Sequence, residues 1–166
     1  DAASQIPKAK TIFQELMEST RHENRFLVHG DFSPKNILAH QNKLHLIDHE
    51  VIHLGDGAFD LGFAMTHLLA KSLHVPGQRE TFRKACHLFA DRYLQSVNCV
   101  SKFSDIEERW IKHTLGCLLA RIHGRSPLEY LKDSERAVIT EKTLECLDRL
   151  PSDIHTLIDR ITWQPS

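Results

Sequence analysis

The chain has 166 residues and a mass of 19.1 kDa, which suits one domain and leaves no room for two cores of ordinary size. Apolar residues make up 41% of the chain, which is enough to fill one interior and argues against disorder. The 21 basic and 22 acidic residues give a net charge of -1, so no uniform field attracts nucleic acid or an anionic membrane.

The sequence also lacks the usual signals of a membrane or secreted protein. No apolar run approaches the ~18 residues of a membrane span, and no basic segment followed by an apolar stretch opens the chain. We therefore expect a soluble, cytoplasmic protein. The four cysteines form no C-x-x-C pair, which predicts reduced, mostly buried thiols at Cys86, Cys99, Cys117 and Cys146.

The hydrophobic pattern predicts one helix, then a short section of strands, then helices to the end of the chain. The first helix is predicted over 6–20, and the strands over 26–28, 37–39 and 44–47, the last two as a hairpin around the polar turn 41–43. The later helices are predicted at about 59–73, 78–97, 104–123, 134–149 and 153–163.

The breaks between these helices have local causes. Pro76-Gly77, Gly124 and Pro151 interrupt the helical pattern, and Ser104 with Glu107 has the spacing of a capping box. No repeat or flexible linker divides the chain. We therefore predict a single domain over residues 1–166, α+β in class and mainly α.

Polar residues suited to phosphoryl transfer cluster in the strand-rich section. Asp31 follows the first predicted strand, Asn36 lies five residues further on, and Asp48 follows the hairpin. Phosphoryl transfer needs one acid that receives the hydroxyl proton, and an Asn and a second acid that hold Mg²⁺. Local turn formation also uses Asp and Asn, and is the simpler alternative.

Three motifs in this section resemble those of the aminoglycoside phosphotransferase and choline kinase family, which has a protein-kinase-like fold. His29-Gly30-Asp31 with Asn36 is similar to the catalytic loop, with Gly30 where protein kinases usually carry Arg. Asp48-His49-Glu50 is similar to the metal-binding motif. The stretch 55–61 resembles Gly-Asp-Pro-Ala-x-Asp-Leu, with Gly57 in place of Pro, a departure that we expect only to loosen a turn.

The resemblance implies roles for individual residues. Asp31 would be the catalytic base, and Asn36 and Asp48 would bind the Mg²⁺ that accompanies ATP. Lys35, beside the site, is a candidate for neutralising the transferred phosphate. The resemblance also implies that His29 is structural and that Asp60 braces the backbone of the catalytic loop.

The same resemblance covers only the C-terminal lobe of a kinase-like fold, with helices around a small hairpin. Only 28 residues precede His29, and they contain no Gly-rich loop and no strand carrying an ATP-phosphate lysine. Since the chain also begins at Asp1, we expect a fragment or a truncated product whose N-terminal ATP-binding lobe is absent. The intact protein would be a small-molecule kinase, and this chain alone would be inactive.

Two other functions remain open. The chain could be a pseudoenzyme that binds a partner, or a second copy of itself, through the face that an N-terminal lobe would cover. It could also be an unrelated helical scaffold. The acceptor is not identified by the sequence, although acid-rich helices favour a cationic one.

Other polar residues have competing interpretations. His49 and His53 have the spacing of a helical zinc pair, but Gly55 and Gly57 indicate a loop there. Arg121 and Arg125 are candidates for binding an anion, or for pairing with carboxylates. Three acids are candidates for receiving a cationic substrate, or for capping a helix: Glu129, Asp133 and Glu135.

Overall fold

The computed structural model describes residues 7–97 and 105–163, and this part of the chain is mainly helical, as predicted. Its helices are α1 (Pro7–His22), α2 (Gly57–His74), α3 (Arg79–Val97), α4 (Ile106–His123), α5 (Asp133–Asp148) and α6 (Ile154–Thr162). Its strands are β1 (Phe26–Val28), β2 (Ile37–His40), β3 (Lys43–Leu46) and β4 (His53–Gly55). Single turns of 3₁₀ helix lie at Pro34–Asn36 and Pro76–Gln78. No helix in these ranges is long and apolar enough to cross a membrane.

The four strands form two separate two-stranded sheets. β2 and β3 are the predicted hairpin, with His40 opposite Lys43, so the turn consists of Gln41 and Asn42. Both turn residues have positive φ angles, 48° and 59°, as a tight two-residue hairpin turn requires. β4 was not predicted, because three residues with a single large apolar side chain show no alternation. It pairs antiparallel with β1, and Leu27 lies opposite Leu54.

Helix α2 runs through the core and packs against α4 and α3. Its fully buried side chains include Met65 and Leu69, and α4 contributes Trp110 and Leu115. Trp110 makes edge-to-face contacts with Phe89 and Tyr93 of α3, at ring-centroid distances of 5.5 and 5.6 Å. Trp110 is therefore an anchor of the core, whereas Trp163 is exposed.

The cysteines within the described ranges are buried and free, as predicted: Cys86, Cys117 and Cys146. Burial raises the pKa of the Cys86 thiol to about 12, and that of Cys117 likewise to about 12, so both are protonated at neutral pH. Cys99 and Ser104 lie outside the described residues. Glu107, the other half of the predicted capping box, accepts a hydrogen bond from the Ile154 N–H at 3.0 Å and so ties α4 to the start of α6.

Helices α2 and α4 approach each other closely at Gly62. A Cβ atom on Gly62 would lie 2.7 Å from the Thr114 backbone nitrogen and 2.7 Å from the His113 Cβ. Backbone atoms of a buried helix cannot move aside cheaply. The close packing of the two central helices therefore depends on glycine at this position.

We expect Gly62→Ala to lower the free energy of unfolding by about 1–2 kcal/mol, because overpacking costs about 1–3 kcal/mol and exceeds the ~1 kcal/mol helix-propensity gain of alanine. Urea unfolding followed by circular dichroism measures this change. Gly77→Ala is the matched control, since no atom lies within 4 Å of the added Cβ. Equal stability of the two variants would contradict the prediction.

Candidate functional site

The backbone of the loop after β1 is held by Asp60, in the first turn of α2. The His29 N–H donates to Asp60 Oδ2 at 2.6 Å, and the Gly30 N–H donates to Asp60 Oδ1 at 3.0 Å. Each Asp60 carboxylate oxygen thus accepts a hydrogen bond from one of two neighbouring N–H groups. The prediction that Asp60 braces this loop is confirmed.

Glycine at position 30 has a structural cause. Gly30 has a φ of +83°, a conformation that residues with a Cβ rarely adopt. A Cβ there would also lie 2.9 Å from Val51 Cγ2 and 3.2 Å from the Val51 carbonyl oxygen. A larger residue would push apart the loop that carries Asp31 and the segment that follows Asp48.

The imidazole of His29 joins the same two segments. His29 is buried, its Nδ1 accepts from the Asp31 N–H at 3.3 Å, and its Nε2 lies 3.0 Å from the Ile47 carbonyl oxygen. Since the carbonyl can only accept, Nε2 carries the proton. The contacts of His29 are thus with backbone groups, as expected of a structural residue.

Three of the predicted site residues are in direct contact. Lys35 Nζ lies 2.8 Å from Asp31 Oδ2, and Asn36 Nδ2 donates to Asp31 Oδ2 at 3.0 Å and to the Asp31 carbonyl oxygen at 2.9 Å. Both partners of Asn36 are acceptors, so the amide nitrogen must face Asp31 and the amide oxygen is left for another ligand. Asp31 Oδ1 is buried and has no hydrogen-bond partner.

The ionised form of Asp31 is favoured in this setting. Burial acts to raise the pKa of Asp31, but the hydrogen bonds from Lys35 and Asn36 and the positive charges of Lys35 and Arg121 outweigh it. The pKa of Asp31 therefore lies below its ordinary value. The carboxylate is ionised at neutral pH and can accept a proton.

Asp48 is connected to this cluster through its neighbour. The Ile47 N–H donates to the Asn36 carbonyl oxygen at 3.0 Å, which brings the end of the hairpin beside Asn36. Asp48 itself is exposed and has a φ of 67°. Asp tolerates this left-handed conformation better than most residues. Asp48 is thus next to the cluster and makes no hydrogen bond within the described ranges.

The oxygen atoms available at this site fit Mg²⁺ better than a transition metal. They are the amide oxygen of Asn36 and the Asp48 carboxylate, and Mg²⁺ prefers oxygen ligands and retains several waters. Residues 7–97 and 105–163 hold no group of three or more His, Cys, Asp or Glu placed to bind a metal ion.

His49 and His53 do not form the helical pair that their spacing suggested. His49 Nε2 lies 2.8 Å from the Leu46 carbonyl oxygen, and His53 Nδ1 lies 2.9 Å from the Val51 carbonyl oxygen. His53 begins β4, so the two residues do not share a helix.

The acids considered for a cationic substrate have other positions or partners. Glu135 accepts from the Lys132 N–H at 2.9 Å at the start of α5 and lies 3.0 Å from His74 Nδ1, so it caps the helix. Glu129 and Asp133 are exposed. Arg125 is also exposed, whereas Arg121 packs against Phe63, with its Cζ 4.7 Å from the ring centroid.

Sequence analysis missed a buried ion pair behind the site. Asp56 caps α2 by accepting from the Ala58 N–H at 3.0 Å, and its other oxygen accepts from Arg109 Nε at 3.0 Å and lies 3.3 Å from His113 Nε2. Burial acts to raise the pKa of Asp56, but the hydrogen bonds from His113 and Ala58 and the charge of Arg109 hold it below its usual value. Only the position of Asp56 in the 55–61 motif hinted at this role.

Gly57 does more than loosen a turn. A Cβ on Gly57 would lie 3.0 Å from Phe26 Cγ and 3.1 Å from Phe26 Cδ1. The glycine therefore gives the Phe26 ring room to pack against the start of α2, and this contact helps to position β1 and the loop that follows it.

Comparison with known families gives a match over most of this region. The sequence model of the phosphotransferase enzyme family matches residues 2–95, which is more than half of the chain and includes all three motifs. This match confirms the resemblance found in the sequence. A search of curated proteins found no significant match.

Replacement of Lys35 by Met is expected to raise the pKa of Asp31, because it removes a hydrogen bond and a positive charge and leaves the carboxyl partly buried. A carboxyl-carbon NMR titration measures that pKa directly. Lys43→Met, an exposed lysine of β3, is the control. An unchanged Asp31 pKa in Lys35→Met, or an equal rise in Lys43→Met, would contradict this assignment.

Proposed function

The chain belongs to the phosphotransferase enzyme family, and we propose that the protein transfers the γ-phosphate of ATP to a hydroxyl group of a small molecule in the cytoplasm. The observation that carries this function is the ionisation and hydrogen bonding of the Asp31 carboxylate. Its carboxylate is kept ionised, one oxygen is held by Lys35 and Asn36, and the other has no partner.

In this function Asp31 is the catalytic base. The acceptor hydroxyl gives its proton to Asp31 Oδ1, the hydroxyl oxygen bonds to the γ-phosphorus, and the bond between that phosphorus and the ADP oxygen breaks. Asp60 and His29 fix the loop backbone from residue 29 to the Asp31 N–H, so the carboxylate is positioned before the acceptor binds.

Asn36 and Asp48 would hold Mg²⁺, with the amide oxygen and the carboxylate as ligands. When bound, Mg²⁺ neutralises negative charge on the ATP phosphates. The side chain of Lys35 lies at the same place and is exposed over most of its length. It would leave Asp31 Oδ2 for the transferred phosphate, whose charge its ammonium group would neutralise.

We further propose that residues 1–166 form one domain and correspond to the C-terminal lobe of a kinase-like fold. The mainly helical architecture and the position of the site at the strand ends favour this assignment. ATP would then be covered by a second lobe outside these residues, and the chain alone would be inactive.

Asp31→Asn is expected to reduce turnover by at least a thousandfold in the intact protein, because the amide cannot accept the hydroxyl proton. Coupled ATP-hydrolysis or ³¹P NMR assays against a panel of hydroxyl compounds measure turnover. Glu141→Gln, which makes the same chemical change at an exposed site on α5, is the control. Near-normal turnover in a folded Asp31→Asn protein would refute Asp31 as the base.

A second candidate function is binding of a partner or a second copy without phosphoryl transfer. It is favoured by apolar side chains on the strands, since Leu27, Leu44 and Leu54 are 70%, 75% and 69% exposed. Leu27 and Leu54 form a cross-strand pair, so their exposed side chains are adjacent.

If this second function is correct, the chain self-associates, and Leu54→Lys weakens the association at least tenfold. Sedimentation velocity over a range of concentrations measures the association constant. Leu88→Lys, an exposed leucine of α3, is the control. A chain that is monomeric at every concentration would count against self-association through this face.

A further inference from the structure

One face of α2 leads away from the catalytic loop and carries Phe63, His67 and Lys71. Residues spaced by four lie on the same side of a helix, and the Phe63 and His67 rings are 5.1 Å apart at their centroids. Phe63 follows Asp60 by one turn, which is about 5 Å along the axis. This face therefore begins one turn from the residue that holds the backbone of the loop carrying Asp31.

Lys71 on this face and Arg121 of α4 beside it have aromatic partners in place of carboxylates. Arg121 stacks on Phe63 and donates from Nη1 to the Ser126 carbonyl oxygen at 2.8 Å, and Lys71 Nζ lies 3.6 Å from the Tyr130 ring centroid. Neither cation forms an ion pair in the part of the chain that the structure describes. A ring holds a cation in place without neutralising its charge.

Buried polar atoms without partners lie around the same cations. His67 Nε2 and the Tyr130 hydroxyl oxygen are buried, and neither makes a hydrogen bond. Buried polar atoms in folded proteins nearly always have a partner, so these two atoms indicate a ligand or ordered water.

The charges that act on His67 come mainly from basic groups. Burial and then the charge of Arg121 lower the pKa of His67 to about 4, with Lys35 and Lys71 acting in the same direction and Asp31 opposing them. The imidazole is therefore neutral at pH 7. Its surroundings are net positive, which is unfavourable for a cationic acceptor and favourable for an anion.

We propose that Arg121, Lys71 and His67 bind an oxyanion of the acceptor, so that the acceptor is a hydroxyl compound carrying a carboxylate or phosphate group. This substrate class rests on the phosphotransfer function proposed above. Arg121 offers a planar pair of donors suited to either oxyanion, Lys71 adds charge, and His67 adds a neutral hydrogen bond. The assignment replaces the cationic acceptor that the acid-rich helices suggested.

Inorganic phosphate is the probe that tests the site in the intact protein, with the ring signals of His67 followed by NMR. We expect a saturable shift of these signals and a rise in the His67 pKa, because a bound anion favours the imidazolium form. Arg121→Gln should weaken phosphate binding at least tenfold. Arg125→Gln, the same change at an exposed arginine four residues away, should leave it unchanged.

Lys71→Gln is a second variant for the case in which Arg121→Gln does not fold, and it should weaken phosphate binding severalfold. No saturable response of His67 in the unmodified protein would overturn the oxyanion site. Equal weakening by Arg121→Gln and Arg125→Gln would overturn it as well.

Repeating the titration with saturating ATP distinguishes an acceptor oxyanion from the γ-phosphate. Simultaneous binding of inorganic phosphate and ATP supports an acceptor site, and displacement of phosphate by ATP overturns it. Asp31→Asn separates this inference from the proposed function. Turnover retained in that variant would refute the base, whereas the phosphate titration at His67 would still decide the oxyanion site.

Discussion

The carboxylate of Asp60 receives two neighbouring N–H groups, from His29 and Gly30, and the geometry of the candidate site depends on this contact. The positive φ angle at position 30 favours glycine, and in this conformation both N–H groups face one carboxylate. Asp60 is fixed in turn because α2 is anchored by buried side chains such as Met65 and Leu69. The helical core thus determines where Asp31 lies.

From this loop the hydrogen bonds extend to the hairpin. His29 reaches the Ile47 carbonyl, and the Ile47 N–H reaches Asn36, so the two motifs that would hold Mg²⁺ are linked by backbone contacts. Asn36 is oriented by Asp31, which is why its amide oxygen is the atom left available. The backbone next to the exposed Asp48 is therefore held by the buried His29 imidazole and by the Asn36 carbonyl.

Much of the fold could be predicted from the sequence because its helices are amphipathic and end at glycine, proline or polar residues. The described helices and the three expected strands begin and end within two residues of their predicted bounds. β4 was missed because its pairing with β1 makes it a strand, whereas its own three residues show no strand-like hydrophobic pattern. The Asp56 to Arg109 pair was missed for a similar reason, since its members are 53 residues apart.

The candidate catalytic residues could be found because they lie close together in the sequence, whereas the charge around the acceptor could not. Counting acids favoured a cationic substrate, but Glu135 is used by a helix start and by His74. The cations that matter, Arg121 and Lys71, are 50 residues apart in sequence. Their aromatic partners, Tyr130 for Lys71 and Phe63 for Arg121, are revealed only by the three-dimensional arrangement.

The bracing contact also bears on how the protein folds. Asp60 lies 31 and 30 residues after the two N–H groups that it holds, so the contact is non-local and closes a long loop. During synthesis from the N-terminus, the residues of the loop are made before the carboxylate that orders them. The hairpin, whose contacts are local, can form earlier, so the loop around Asp31 gains its final shape only when the first turn of α2 docks.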